Sequence, residues 1–445
     1  MKNNIVLFIT GCTMMLMASC LNSDDITTTE LKDAQISSLV LSHDSVTDLK
    51  NVKFTIDQLQ GLIFNKDSLP YGTQVNKVIC TLTYAVGVNA IGVAQEAAGD
   101  TIWWNGTDSL DFSKPVKFFT TAYDGATQKT YTAWVNIHQE NPDSMAWERY
   151  AALPANGADE QKVVRYTHQG ADAYLMYVKA SGANQLYYAL TADAKNWSEL
   201  PLTGLPGDTD LSQITPYENA LYAPAATGLY RSEDGADWTK PEDAPLVKAI
   251  LGVIKEGRNT PSLLATLVES DGSYIFAGMD REKQWTQGGA IPGGFPVSGF
   301  GSVSSNRMNS EYLTVVAGKD SQGQVLNTTW ATSNATDWAV LSGERENFFE
   351  KKAGAMLAIY DDKFYLAGGI NAEGKASKDI HYSVDNGVTW FPADSLKSFP
   401  EEYAARGYAS VQVDADNYML VFGGKTGNGA KPLNELWRGR INRLK

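Results

Sequence analysis

From Ser383 to Trp390 the chain reads Ser-Val-Asp-Asn-Gly-Val-Thr-Trp, and degraded copies of this octapeptide recur along the last two thirds of the sequence. Its chemistry is that of a tight turn followed by an anchor. Ser and Asp side chains accept hydrogen bonds from backbone N–H groups two or three residues on, and Gly takes positive φ without a Cβ clash. The Trp then buries a large ring beside the turn and pins it. Shorter copies run from Thr191 to Trp197, from Ser232 to Trp238 and from Thr332 to Trp338, each with a hydroxyl six residues before the Trp and Asp or Asn four before it. The segment from Asp280 to Trp285 keeps little beyond the ring. With Trp147 added, the anchors stand at 147, 197, 238, 285, 338 and 390. Units of about 40–50 residues, each with several short strands, predict a β-propeller.

The complete copy resembles the Asp-box, S-x-D-x-G-x-T-W, of sialidase-like and related propellers, and matches it at every defined position. A second pattern overlays it. Lys363-Phe364-Tyr365-Leu366-Ala367-Gly368-Gly369 leads to Ile380-His381-Tyr382, and Tyr418-Met419-Leu420-Val421-Phe422-Gly423-Gly424 leads to Leu433-Asn434-Glu435-Leu436-Trp437. These segments resemble the kelch repeat, in which a strand ends in Gly-Gly and the next carries an aromatic. Val316-Ala317-Gly318 followed by Trp330 matches in part. In the families the Asp-box resembles, its acids brace turns on the face away from the ligand, so Asp193, Asp234 and Asp385 are expected to be structural.

Residues 1–20 read as a secretion signal, with Lys2 in a short basic region and an apolar run from Ile5 to Met17. That run is too short to span a bilayer. Met17-Ala18-Ser19-Cys20 resembles a bacterial lipobox, which would make Cys20 the lipidation site. The alternative, Ile9-Thr10-Gly11-Cys12, would leave too short a hydrophobic region. A diacylated and N-acylated Cys20 would anchor stably to a membrane. The acidic Asn22-Ser23-Asp24-Asp25 resembles the surface-export tag of Bacteroidetes-type lipoproteins, which implies an outer-membrane, surface-exposed protein.

After a tether at 21–29, residues 30–138 show apolar alternation or β-branched runs at 36–41, 52–56, 77–84, 101–104, 116–122 and 129–138. Asp124-Gly125 is a two-residue hairpin signal. Six or seven short strands in this length predict an immunoglobulin-like β-sandwich. A linker follows at 139–143, and the propeller occupies 144–445. Six repeats predict a six-bladed ring in which Trp147 belongs to the last blade, with residues 144–150 pairing with 434–441. That arrangement closes the ring without free edges. The fold class is therefore all-β, an immunoglobulin-like β-sandwich followed by a six-bladed, kelch/Asp-box-like β-propeller. Six Asp-Ser/Thr-apolar tripeptides, at Ser45, Ser68, Thr101, Ser109, Ser144 and Ser395, resemble the Bacteroidetes O-glycosylation acceptor; Asp-Ser is equally an ordinary turn pair.

Composition narrows the functional classes. A net charge of −14 argues against nucleic acid and against docking on anionic lipid, so membrane contact is expected through the lipid anchor alone. With Cys12 cleaved off and Cys20 lipidated, Cys80 is left alone and no intramolecular disulfide forms. The four histidines lack metal-ligand spacing, which disfavours a zinc site, and no cofactor motif is present. The F-R-I-P string that accompanies sialidase arginines is absent.

The ligand is expected on the face opposite the Asp-boxes. Its richest loops carry Phe295, Phe349, Tyr403 and Arg406, aromatics to stack on sugars and a charge to bond hydroxyls. Of the acids on that side, Asp210, Glu344, Glu346, Glu401 and Glu402, several neighbour a Lys or Arg in sequence, which suits hydrogen bonding better than acid catalysis. The function that fits is recognition of a glycan or protein ligand by a monomer, with a propeller glycoside hydrolase or lyase as the alternative. In layout the whole chain resembles an uncharacterised family of Bacteroidetes-type two-domain lipoproteins.

Overall fold

The computed structural model describes residues 31–95, 101–343 and 349–442; the expected signal peptide, the tether and Cys20 lie outside them. The chain divides into two compact units, Met1–Pro142 and Asp143–Lys445, so the division falls within the expected linker.

In the first unit, Ile36–Ser42 pairs antiparallel with Ile79–Tyr84. A second sheet has the order Phe54–Asp57, Leu62–Asn65, Gln128–Trp134, Val116–Ala122, Val88–Gln95, Thr101–Trp103. Leu62–Asn65 and Val88–Gln95 were not expected as strands. The pairing of Leu62–Asn65 with Gln128–Trp134 is parallel. Both sheets feed one core: Leu39, Leu41 and Cys80 from the pair meet Ile63, Val93, Phe118 and Tyr131 from the larger sheet. The turn at Asp124-Gly125 is longer than the expected two residues. Asp124 Oδ1 accepts from the N–H groups of Ala126 (3.0 Å) and Thr127 (2.8 Å), and the Ala122 N–H donates to Thr127 O.

Cys80 is fully buried, and burial pushes its thiol up to about 12. A thiol held that high carries almost no thiolate at neutral pH. Native protein of residues 22–445 is expected to leave Cys80 unlabelled by iodoacetamide until denaturant is added. Rapid labelling under native conditions would contradict its place in the core.

The second unit contains, among the described residues, six antiparallel sheets that follow one another along the chain. Their first strands are Glu160–His168, Thr215–Tyr217, Val247–Ile254, Gly301–Arg307, Met356–Tyr360 and Ser410–Val413. Hydrogen bonds link successive first strands or the loops that lead into them. Ile250 N–H donates to Gln213 Oε1 (2.8 Å), Ser304 Oγ to Val253 O, and Gly354 N–H to Gly299 O (2.6 Å). Tyr408 N–H donates to Gly354 O (2.6 Å), and Val163 N–H returns to Ser410 Oγ (2.9 Å), joining the last sheet to the first.

The anchors fall at the outermost strands, as the repeat predicts. Trp197, Trp338 and Trp390 immediately precede Ser198–Leu200, Ala339–Ser342 and Phe391–Pro392, and Trp285 opens Trp285–Ala290. The second sheet has three strands; the residue after Trp238, Thr239, makes a single bridge to Arg231 in place of a fourth. In the sixth sheet the outermost strand is Met145–Ala152, paired antiparallel with Glu435–Ile441, with Trp147 opposite Gly439. The expected pairing of the two ends of the domain is therefore present.

Candidate functional site

The turns before the anchors use their acids as bracing. Ser383 Oγ donates to Asp385 Oδ1 (2.7 Å) and accepts from Gly387 N–H (2.8 Å), while Asp385 Oδ1 accepts from Thr389 N–H (2.8 Å). Burial pushes the Asp385 carboxyl up, but the bonds from Thr389 and Ser383 outweigh it and leave the group below the usual carboxylate range. Ser232 and Asp234 repeat the pattern on Gly235, Ala236 and Asp237. In the copy ending at Trp338, Ala335 takes positive φ (67°) where Gly would be easier. Trp197, Trp238, Trp338 and Trp390 each donate from Nε1 back into their own turn, and Trp390 also reaches across to Thr329 Oγ1 (3.1 Å) in the preceding sheet. These carboxylates are occupied by backbone N–H groups, so the turns fasten one sheet to the next.

The four side chains expected to meet a ligand are inside the protein. Phe295, Phe349 and Tyr403 are 1–2% exposed and Arg406 is 0% exposed, so the expectation that they are presented to a ligand is corrected. The cause is that their loops carry the three rings into the apolar clusters formed between neighbouring sheets, where they complete the packing. Phe295 lies against Trp338 (ring centroids 5.2 Å), Phe349 against Trp390 (5.7 Å), and Tyr403 near Trp147 (6.5 Å). Each therefore packs on an anchor Trp. Arg406 sits over the Tyr403 ring (4.0 Å) and donates to Glu435 Oε2 (2.9 Å), Gly423 O (3.0 Å) and Ala404 O (2.9 Å). Its guanidinium is a buried structural cross-link.

Of the expected acids, Glu344 and Glu346 lie outside the described residues. Glu401 and Glu402 are exposed on the surface. Asp210 caps a short turn, accepting from Ser212 N–H (3.0 Å), Ser212 Oγ (2.6 Å) and Gln213 Nε2 (2.9 Å). Among the described residues, no three or more His, Cys, Asp or Glu side chains converge to hold a metal ion.

His381, 6.0 Å from Phe349, is buried with no partner for Nδ1 among the described residues. Burial, and secondly the nearby Lys352, push it down to about 4. The unfolded chain then binds a proton the native state refuses between the ordinary value near 6.5 and about 4, so stability falls as pH falls through that window. Melting temperature is expected to drop from pH 7 to pH 4.5, and to drop less in His381→Gln. Equal slopes would contradict a neutral, buried imidazole.

An open site exists where the six first strands converge. A cavity of about 250 Å³ is lined by residues from all six sheets or the turns that lead into them, among them Gln161, Lys162, Gln213, Ile250, Ser302, Leu357 and Ser410. A second, of about 220 Å³, shares Gln161, Ser212, Gly299 and Tyr408 with it and adds Glu160, Asp210, Lys319 and Lys425. The second cavity is thus the mouth of the central channel. It opens at the starts of first strands and the ends of second strands, opposite the braced turns, on the face the sequence favoured. Tyr408 is fixed there by close backbone approach: a Cβ at Gly354 (φ 67°) would fall 2.5 Å from Tyr408 Cδ2.

Charge at the mouth is uneven. Glu160 is paired with Lys179 (3.4 Å), and the Asp210 oxygens are taken up by the cap. Lys162, Lys319 and Lys425 make no ion pair or side-chain hydrogen bond among the described residues. Lys162 is half-buried, and desolvation holds its ammonium below the usual lysine range against the opposing pull of Asp210. Gln161, 7% exposed, leaves Oε1 without a partner among the described residues while Nε2 donates to Phe422 O (3.4 Å).

Sequence reasoning passed over Lys162, Lys319, Lys425 and Tyr408. A signal was available: Lys319 follows the glycine of Val316-Ala317-Gly318, and Lys425 follows Gly423-Gly424, the same place in two repeats.

Residues 141–445 match the family model described as the DUF6242 beta propeller domain, and residues 21–135 match that of the domain of unknown function (DUF6242) N-terminal domain. No curated protein matches the chain. Among solved structures, one titled "Structure of YjhT" is similar at 14% identity and a TM-score of 0.46, covering 64% of this chain and 96% of that one.

Proposed function

We propose, from the premise that the chain belongs to the DUF6242 family in both of its domains, that its propeller is a binding module with its ligand seated in the mouth of the central channel. The observation that carries this is the continuous pair of cavities sharing Gln161, Ser212, Gly299 and Tyr408. Concave sites with a few convergent polar groups are where small ligands bind. With under 500 Å³ between them, the cavities suit a sugar-sized group better than a protein surface. A glycan, read through one terminal residue, is therefore favoured over a protein.

The six sheets are read as the blades of a six-bladed ring, supported by the bonds joining neighbouring first strands. The first domain is read as an immunoglobulin-like sandwich, supported by two sheets on one core. Its division into two and six strands departs from the usual more even one. Lipidation at Cys20, outer-membrane anchoring and the Bacteroidetes-type lipoprotein reading rest on the lipobox resemblance at 17–20 and the acidic residues that follow.

A glycan array probed with residues 22–445, which keep both domains, tests the function. Retention of a defined glycan that is recovered with unchanged mass is expected. Retention of none would reject the binding reading, and a change in mass would favour the alternative, a glycan-active enzyme.

A further inference from the structure

We infer that the ligand of the channel mouth carries an anionic group together with hydroxyls, as an acidic sugar or a sugar phosphate does. The inference rests on the proposed site being the mouth of the channel. Three lysines, Lys162, Lys319 and Lys425, line the two joined cavities, and none makes an ion pair or side-chain hydrogen bond among the described residues; the one acid that acts on Lys162 is Asp210. They stand out because the whole chain carries a net charge of −14. Both acids at the mouth are already engaged, Glu160 by Lys179 and Asp210 by Ser212 and Gln213.

Cations inside a concave wall, away from bulk water, attract an anion more strongly than the same cations on an open surface. Lys162 gives the deepest charge, since it lies on a first strand within the channel, and Lys319 and Lys425 stand at the rim. An enclosed ammonium without a counter-ion is costly, and a bound carboxylate or phosphate would relieve that cost. Two acceptors complete the description. Gln161 Oε1 has no partner among the described residues, and a carboxylate such as Asp210 can accept more than the three bonds it receives. An anion offers neither of them a donor, so the ligand must also carry hydroxyl groups. Tyr408, held against Gly354 and Gly299, supplies the flat wall beside which a ring can lie.

The test uses the full chain with its lysines labelled by reductive ¹³C-dimethylation, which keeps their charge. Signals are assigned with Lys162→Arg, Lys319→Arg and Lys425→Arg and followed by NMR. The titrants are glucuronate, glucose 6-phosphate and glucose. The assigned signals are expected to shift saturably with at least one of the two anions, and at least tenfold more weakly with glucose. Whichever anion binds decides between carboxylate and phosphate, and Lys319→Gln/Lys425→Gln should weaken it at least tenfold. No saturable shift with either anion, or equal shifts with glucose, overturns the inference. The two readings fail separately. A neutral glycan retained on the array that shifts the three signals leaves the site in place and removes the anion. A retained glycan that shifts none of them removes the site.

Discussion

A chain that ends at Asn434 is expected to lose the folded propeller domain. The deletion removes Glu435–Ile441, the strand that lies between Met419–Phe422 and Met145–Ala152 in the sixth sheet. It takes away Leu436, Trp437 and Ile441, all buried, and leaves Met145–Ala152 with no partner strand. Burial of each large apolar side chain contributes about 1.5–3 kcal/mol, so the three alone approach the 5–15 kcal/mol that holds a typical domain together. The two strand edges left unpaired add a route to aggregation. Calorimetry should show the propeller transition abolished. A transition at the temperature of the intact chain would mean that the two ends of the domain do not hold the ring.

Arg406→Ala is expected to destabilise the protein by about 3–5 kcal/mol, the usual cost of breaking one side of a buried ion pair. The change removes three hydrogen bonds and the nearer of the two cations paired with Glu435, leaving it Arg149 (3.4 Å) and the bond from Trp437 (2.9 Å). Burial pushes the Glu435 carboxyl up, and in the native protein the bonds from Trp437 and Arg406 hold it below the usual range. With a lowered native value, its contribution is present above the unfolded carboxylate value near 4.3 and is lost as pH falls through the lowered one. Without Arg406 only the Trp437 bond and Arg149 oppose burial, so the deficit of the variant should shrink as acid protonates Glu435. In a double-mutant cycle, Arg406→Ala should cost distinctly less on a Glu435→Gln background. Additive costs, or a deficit under 1 kcal/mol, would contradict a buried cross-link.

The sequence made the repeat legible because its signals are local. A hydroxyl, an Asp or Asn and a Trp at fixed spacing specify a braced turn and the start of an outer strand wherever they occur. Trp147 was placed in the last sheet for the same reason, since it was the anchor left over. The aromatics were misplaced because burial of a loop side chain depends on the gap between two sheets, which local sequence does not contain. Phe295 and Phe349 look alike as exposed and as buried residues until Trp338 and Trp390 are seen beside them. Val88–Gln95 escaped notice because its Ala and Gly residues weaken the strand pattern, and pairing with Val116–Ala122 overrides that weakness. The channel lysines were hidden for a further reason. Lys162, Lys319 and Lys425 come from three sheets far apart in sequence and come to line two joined cavities only in the folded domain.

Hydrogen–deuterium exchange of residues 22–445, with and without a glycan retained on the array, tests the location of the site most directly. Exchange is predicted to slow at 160–162, 210–213, 298–300 and 407–409 and at Lys425, while the turns at 232–238 and 383–390 stay unchanged. Slowing confined to those turns or to the first domain, with the channel mouth unaltered, would contradict the account.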